Sequence, residues 1–126
     1  MRLILDAGAL IAIERGDREV IARIQRELST KRGVVTHGGV VGQVWRGGTG
    51  RQTRLARFLP GFEIVPLDAE LGRRAGVLLG KTRTTDVIDA AVVLLAADGD
   101  WILTSDPEDL RVLAEAAGLH VDVIEV

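Results

Sequence analysis

Four aspartates stand where an apolar run gives way to a turn or a helix start. Asp6 follows Leu3-Ile4-Leu5, Asp86 and Asp89 open a long apolar stretch ending at Ala97, and Asp106 follows Trp101-Ile102-Leu103-Thr104-Ser105. Carboxylates are the side chains that hold hard divalent cations and that move protons as general acids and bases. Asp86 and Asp89 are three residues apart, so on a helix they share one side. Were all four to meet, they would repel: at 4 Å and an effective dielectric near 20, one pair costs about 4 kcal/mol. Such a cluster raises carboxyl pKa values, and a bound dication reverses that logic. The chain has no cysteine, and neither histidine adjoins these motifs. An all-oxygen donor set selects Mg²⁺ or Mn²⁺ over zinc, and such a centre suits phosphodiester hydrolysis. Each acid also has a purely structural reading. Asp6 ends a strand, Asp86 and Asp89 suit the positive end of a helix whose cap is Thr84 or Thr85, and Asp106 caps the helix begun by Pro107-Glu108.

The elements that would carry these residues alternate in type. Short apolar strands are expected at 3–5, 34–36, 63–66, 101–104 and 120–125. Between them the spacing gives a brief helix at 9–14, then one from the Asp17 cap to about Ser29 with Val20, Ile21, Ile24 and Leu28 inward. A further helix runs from Gly38 to Trp45 and is broken at Gly47-Gly48-Thr49-Gly50, and a basic helix continues to about Leu59. Asp68 caps a helix to about Leu79, Gly80 to Arg83 is a basic turn, and 108–117 is helical with Gly118 just beyond it. The helix from Val87 to Ala97 is apolar all round and therefore buried. Short apolar strands separated by helices indicate a mostly parallel sheet of about five strands covered on both faces, a three-layer α/β/α sandwich. In such sheets functional groups gather beyond the carboxyl ends of the strands, which is where the acids stand.

At 126 residues, 47% hydrophobic and 27% charged, the chain reads as one globular domain over 1–126. Ala90 to Ala97 is too short to span a bilayer, and Asp6 interrupts the only apolar run near the start, so no secretory leader or membrane segment is expected. Absent cysteine excludes a disulfide framework, and a cytoplasmic location is the expectation. The net charge of −2 averages 16 basic against 18 acidic residues and does not by itself exclude a basic patch for nucleic acid.

Leu3-Ile4-Leu5-Asp6-Ala7-Gly8-Ala9-Leu10, Val44-Trp45-Arg46-Gly47-Gly48, Asp86-Val87-Ile88-Asp89-Ala90-Ala91 and Leu103-Thr104-Ser105-Asp106 together resemble the PIN-domain ribonucleases, and more closely the VapC-type toxins of toxin–antitoxin pairs. Their order and spacing cover essentially the whole chain. The resemblance implies a PIN-like sandwich, a Mg²⁺ or Mn²⁺ site, endonucleolytic cleavage of RNA, a cognate antitoxin and a homodimer. By position it makes Asp6 and Asp86 the principal metal ligands, with Asp106 as the later acid and Asp89 beside it. Two departures stand out. Gln43 replaces the usual glutamate, so it is a weak neutral ligand at best, and Asp89 or Asp109 is left to supply the charge. Gly8 replaces a small hydroxyl residue.

Arg46, Arg51, Arg54 and Arg57, with Lys81 and Arg83, are candidates for contacting an RNA backbone, against the alternative of a solvated helix face and a basic turn. Trp45 and Trp101 read as core or interface residues, with Trp101 on a central strand, and His37 and His120 as structural. The rival to a nuclease is an impaired member of the same fold that binds RNA or protein, motivated by Gln43. A haloacid-dehalogenase-type phosphatase would need a second aspartate where Gly8 stands.

Overall fold

Leu3–Leu5 forms the central strand, β1, and all three of its side chains are fully buried because helices cover both faces of the sheet. The computed structural model describes residues 1–47 and 50–126, so the break expected at Gly47-Gly48-Thr49-Gly50 lies partly outside the described residues. The other strands are Val34–His37 (β2), Glu63–Val65 (β3), Trp101–Thr104 (β4) and Asp122–Glu125 (β5). The helices are Ala7–Arg15 (α1), Arg18–Thr30 (α2), Gly38–Val44 (α3), Thr53–Phe58 (α4), Ala69–Thr82 (α5), Val87–Leu95 (α6) and Pro107–Ala116 (α7), with short 3₁₀ turns at Gly50–Gln52 and Leu59–Gly61.

Every strand pairing is parallel, in the order β3-β2-β1-β4-β5. The chain builds outward from β1 to β3, then crosses back to place β4 on the other side of β1. The topological switch point therefore falls between β1 and β4, where open parallel sheets carry their ligand crevices. Helices α1 to α4 pack among themselves as one layer, and α5 to α7 as the other. The expected three-layer sandwich is what forms, and Trp101 lies on the strand next to the central one, half-buried with the Arg23 guanidinium 5.1 Å from its ring centroid.

Cap chemistry corrects several expected boundaries. Asp86, not Thr84 or Thr85, caps α6: its Oδ1 accepts from the Asp89 amide at 3.0 Å. Helix α6 ends at Leu95 rather than Ala97, and Val87 is 38% exposed, so the helix is buried only over Ala90–Val93. Helix α5 runs through Gly80 and Lys81 to Thr82 instead of stopping near Leu79, and the left-handed Arg83 ends it. Helix α1 starts directly after Asp6, which caps it.

His37 ties the layers together near the site. Its Nδ1 accepts from the Gly39 amide at 3.0 Å and its Nε2 donates to the Ile88 carbonyl at 3.0 Å, so the ring is neutral with the proton on Nε2. Burial lowers its pKa, partly opposed by the Ile88 carbonyl. A Cβ on Gly39 would lie 2.6 Å from Ile88 Cδ1, so glycine there lets α3 approach the start of α6.

Candidate metal centre

Asp6 and Thr104 are 98 residues apart, but the sheet register makes them neighbours. Leu5 pairs with Leu103, and the Asp6 amide donates to the Leu103 carbonyl at 3.2 Å, so the next residue on each strand emerges side by side at the switch point. The fully buried Thr104 hydroxyl donates to Asp6 Oδ2 and accepts from the Asp106 amide at 2.8 Å. Asp6 Oδ1 accepts from the Ala9 amide at 3.1 Å. Burial pushes the Asp6 carboxyl up; the Thr104 hydroxyl and the Ala9 and Gly8 amides oppose this, Asp106 adds to it, and the balance stays above the ordinary value.

Asp89, half-buried on the first turn of α6, faces the same point. Its pKa is pushed up to about 7, first by burial and then by the charges of Asp86, Asp6, Asp106 and Asp109. All four of the other acids add to that rise, but among the described residues only Asp106 and Asp109 group closely with Asp89, and Asp6 and Asp86 do not join that group. Asp89, Asp106 and Asp109 each offer a carboxylate oxygen, and these three lie within 4.8 Å of one another. The spacing fits the donors of a single ion, and the all-oxygen chemistry is that of Mg²⁺ or Mn²⁺.

Asp106 behaves differently from the other aspartates at helix starts. Asp6, Asp17, Asp68 and Asp86 each accept an amide of their own helix, whereas Asp106 occupies the cap position of α7 without a side-chain cap bond. Its carboxylate is left to the cluster, so the capping reading fails for it. Asp6 and Asp86 do cap helices, each through one oxygen only.

Two members of this arrangement carried a fainter sequence signal. Asp109 repeats, from Asp106, the three-residue spacing of Asp86 and Asp89 at the start of another helix. Thr104 is the polar end of an otherwise apolar strand, and only the register shows what it touches. Thr104→Val keeps the shape but strands the buried Asp6 Oδ2 and the Asp106 amide, at about 1–3 kcal/mol. A melting temperature several degrees lower is expected, with recovery in Thr104→Ser; equal melting of Thr104→Val and the natural chain would sink the bridging role.

Gly8 has a spatial cause. A Cβ there would sit 2.6 Å from Ser105 Cβ and 2.8 Å from the Ser105 amide nitrogen, and would overlap the Ser105 hydroxyl. A side chain at position 8 is excluded, and the hydroxyl in that space comes from the β4–α7 connection.

Gln43 is exposed on α3 and lines a separate cleft of about 620 Å³, whose walls include Arg46, Arg51 and Arg54 but none of the five aspartates. Arg46 donates to the Gly42 and Trp45 carbonyls and Arg54 to the Glu14 carbonyl, so both are partly used in holding backbone. Lys81 and Arg83 stand at the end of α5, just before Asp86. Arg57 is exposed on α4.

No protein-family model matches the chain, and a search of curated proteins finds no match. Among solved structures, a chain in the crystal structure of VapBC2 from Rickettsia felis bound to a DNA fragment from their promoter is similar, with a TM-score of 0.70 at 15% identity. The likeness covers 98% of this chain and 99% of that one. At that identity the likeness speaks for the fold, and with the all-parallel five-stranded sheet in hand, the chain has the PIN-like α/β/α fold.

Proposed function

We propose that the chain is a Mg²⁺- or Mn²⁺-dependent endoribonuclease, acting in the cytoplasm as the toxin of a toxin–antitoxin pair. The observation that carries the reading is the cluster of Asp89, Asp106 and Asp109, whose carboxylate oxygens lie within 4.8 Å of one another, with burial first and then the charges of these acids, Asp6 and Asp86 raising the Asp89 pKa to about 7. Asp89, Asp106 and Asp109 would hold the ion, with Asp6 and Asp86 completing the set around it. When bound, the ion supplies the positive charge that offsets the developing charge on a phosphodiester and favours attack by water.

The chain's own residues do the remainder. Thr104 orients Asp6 and fixes the backbone of Asp106 at once, so the two carboxylates keep their separation. Asp89, its pKa raised to about 7 first by burial and then by its acidic neighbours, would release its proton to solvent as the ion binds. His37 anchors the Ile88 carbonyl and so the turn that presents Asp86 and Asp89. The similar solved structure is a VapBC assembly, which supports a protein antitoxin as partner. No helix among the described residues is long and apolar enough to cross a membrane.

Purified protein should cut RNA internally when given Mg²⁺ or Mn²⁺, stop on addition of EDTA, and resume when the ion is restored. Cleavage that continues unchanged in EDTA rules out the metal-dependent mechanism.

A further inference from the structure

The acids leave unexplained a cleft on the other side of α1. It is enclosed by α1, α3 and the 3₁₀ turn at Gly50–Gln52, and four arginines line it (Arg15, Arg46, Arg51 and Arg54) against one carboxylate, Glu14. Arg46 and Arg54 are held in place by backbone carbonyls but keep their charge. Arg15 and Arg51 are exposed and form no ion pair or side-chain hydrogen bond among the described residues. Part of Arg15's placement suits the negative end of α1, where it lies in the last turn. That accounts for one cation and not for the convergence of four.

The cleft, though none of the five acids lines it, shares part of its wall with a second hollow. Ile11 and Arg15 line both it and a smaller hollow of about 380 Å³, whose walls include Gly8 and Ser105. Gly8 follows Asp6 closely and Ser105 adjoins Asp106. From Gly8 to Arg15 is seven residues on one helix, about 10 Å of axial rise. At Gly8 the space is filled by Ser105 and not by a side chain of α1. The Ser105 hydroxyl makes no hydrogen bond among the described residues and is exposed to whatever passes. Asp17, on the far wall of the smaller hollow, gives one oxygen to the Val20 amide.

We infer that a single nucleic-acid strand crosses α1, its scissile phosphate at the aspartates and its flanking phosphates in the arginine cleft, with Arg15 and Arg51 as direct phosphate contacts. This rests on the nuclease reading and adds to it a direction for the strand and two contact residues. A polyanion is the occupant because four arginines face a single carboxylate in the larger cleft.

The test is binding of a fluorescein-labelled, mixed-sequence RNA of about a dozen nucleotides, followed by anisotropy in EDTA over a range of NaCl concentrations. For single strands, each lost phosphate contact reduces the slope of log K against log salt by about 0.7, and weakens binding about 5-fold at 0.1 M salt. Arg15→Ala and Arg51→Ala should each show that change, and the double variant about twice the slope change. Arg26→Ala, exposed on α2 away from the cleft, should leave the slope alone. A double variant with the natural slope, or a control that loses as much, overturns the assignment. So does a loss of affinity confined to a polyglutamate peptide, which would mark a protein-docking surface. If the natural chain cuts RNA while the slopes stay fixed, the cleft assignment falls and the nuclease stands. If the slopes drop but no cleavage occurs with Mg²⁺ or Mn²⁺, the arginine contacts to the strand stand, and the nuclease falls together with the placing of a scissile phosphate at the aspartates.

Discussion

Asp6→Asn is expected to lower RNA cleavage by about 10³-fold, the equivalent of about 4 kcal/mol of lost transition-state stabilisation. Asparagine keeps the shape of the side chain, and its carbonyl oxygen can still accept from the Ala9 amide, so α1 should remain capped. What disappears is a charge at the switch point, 98 residues from the Thr104 that orients it. The fold should therefore survive with its circular dichroism spectrum, its melting temperature lower by no more than the few degrees expected of Thr104→Val, since an amide nitrogen in place of Oδ2 no longer accepts from the Thr104 hydroxyl. Cleavage measured under single-turnover conditions would then report chemistry rather than unfolding. Retention of more than a tenth of the natural rate in a folded Asp6→Asn variant would remove Asp6 from the centre. Asp106→Asn should act in the same direction, and it has even less structural role to confuse the result, since Asp106 makes no side-chain cap bond.

A second large effect is a reversal by metal of how stability depends on pH. Without an ion, Asp89 keeps its proton in the folded chain up to about pH 7, whereas its ordinary value is 3.8. Between those two pH values the folded state binds more protons than the unfolded one, so stability falls as pH rises. The contribution is fully present below about pH 4 and is gone above about 7. A dication needs the deprotonated carboxylates, so its binding expels that proton and strengthens with pH over the same window. At a free Mn²⁺ concentration about 100 times its dissociation constant, the gain is about 2.7 kcal/mol, or about 10 °C in melting temperature for a chain this long. Thermal melts should thus show the metal-free protein losing stability from pH 5 to pH 8 and the Mn²⁺-loaded protein gaining over it most at pH 8. Asp89→Asn should flatten the metal-free slope. An equal Mn²⁺ shift at both pH values, or none at either, contradicts a carboxylate centre titrating near neutrality.

Much of the architecture was legible because its signals act over four residues or fewer. Asp17 and Asp68 cap their helices as expected, Pro107 opens α7, and Gly118 follows its end with a φ of 71°. The apolar runs of β1 and β4 announced buried parallel strands, since only a doubly covered sheet tolerates such sequences. Errors arose where two local signals competed. Thr84 and Thr85 are good caps, but Asp86 is a better-placed one, and the helix starts a residue after it. Gly80 looked like a stop, yet the packing of α5 on α6 and α7 carries the helix through to Thr82.

By itself, then, the sequence determined the alternation of strands and helices, the buried parallel sheet, and the identity of the acids that stand at strand ends and helix starts. Which of them meet was decided by tertiary structure alone. The order β3-β2-β1-β4-β5 puts the end of β1 against the end of β4, and the Leu5–Leu103 register then brings Asp6 to Thr104. The same packing drew in Asp109, turned Gln43 toward a separate cleft, closed the space at Gly8 with Ser105, and grouped four arginines across α1. The physical reason is range. Helical periodicity and capping are settled among neighbours in the chain, whereas a centre built from residues about a hundred positions apart depends on strand order and register, which no local pattern encodes.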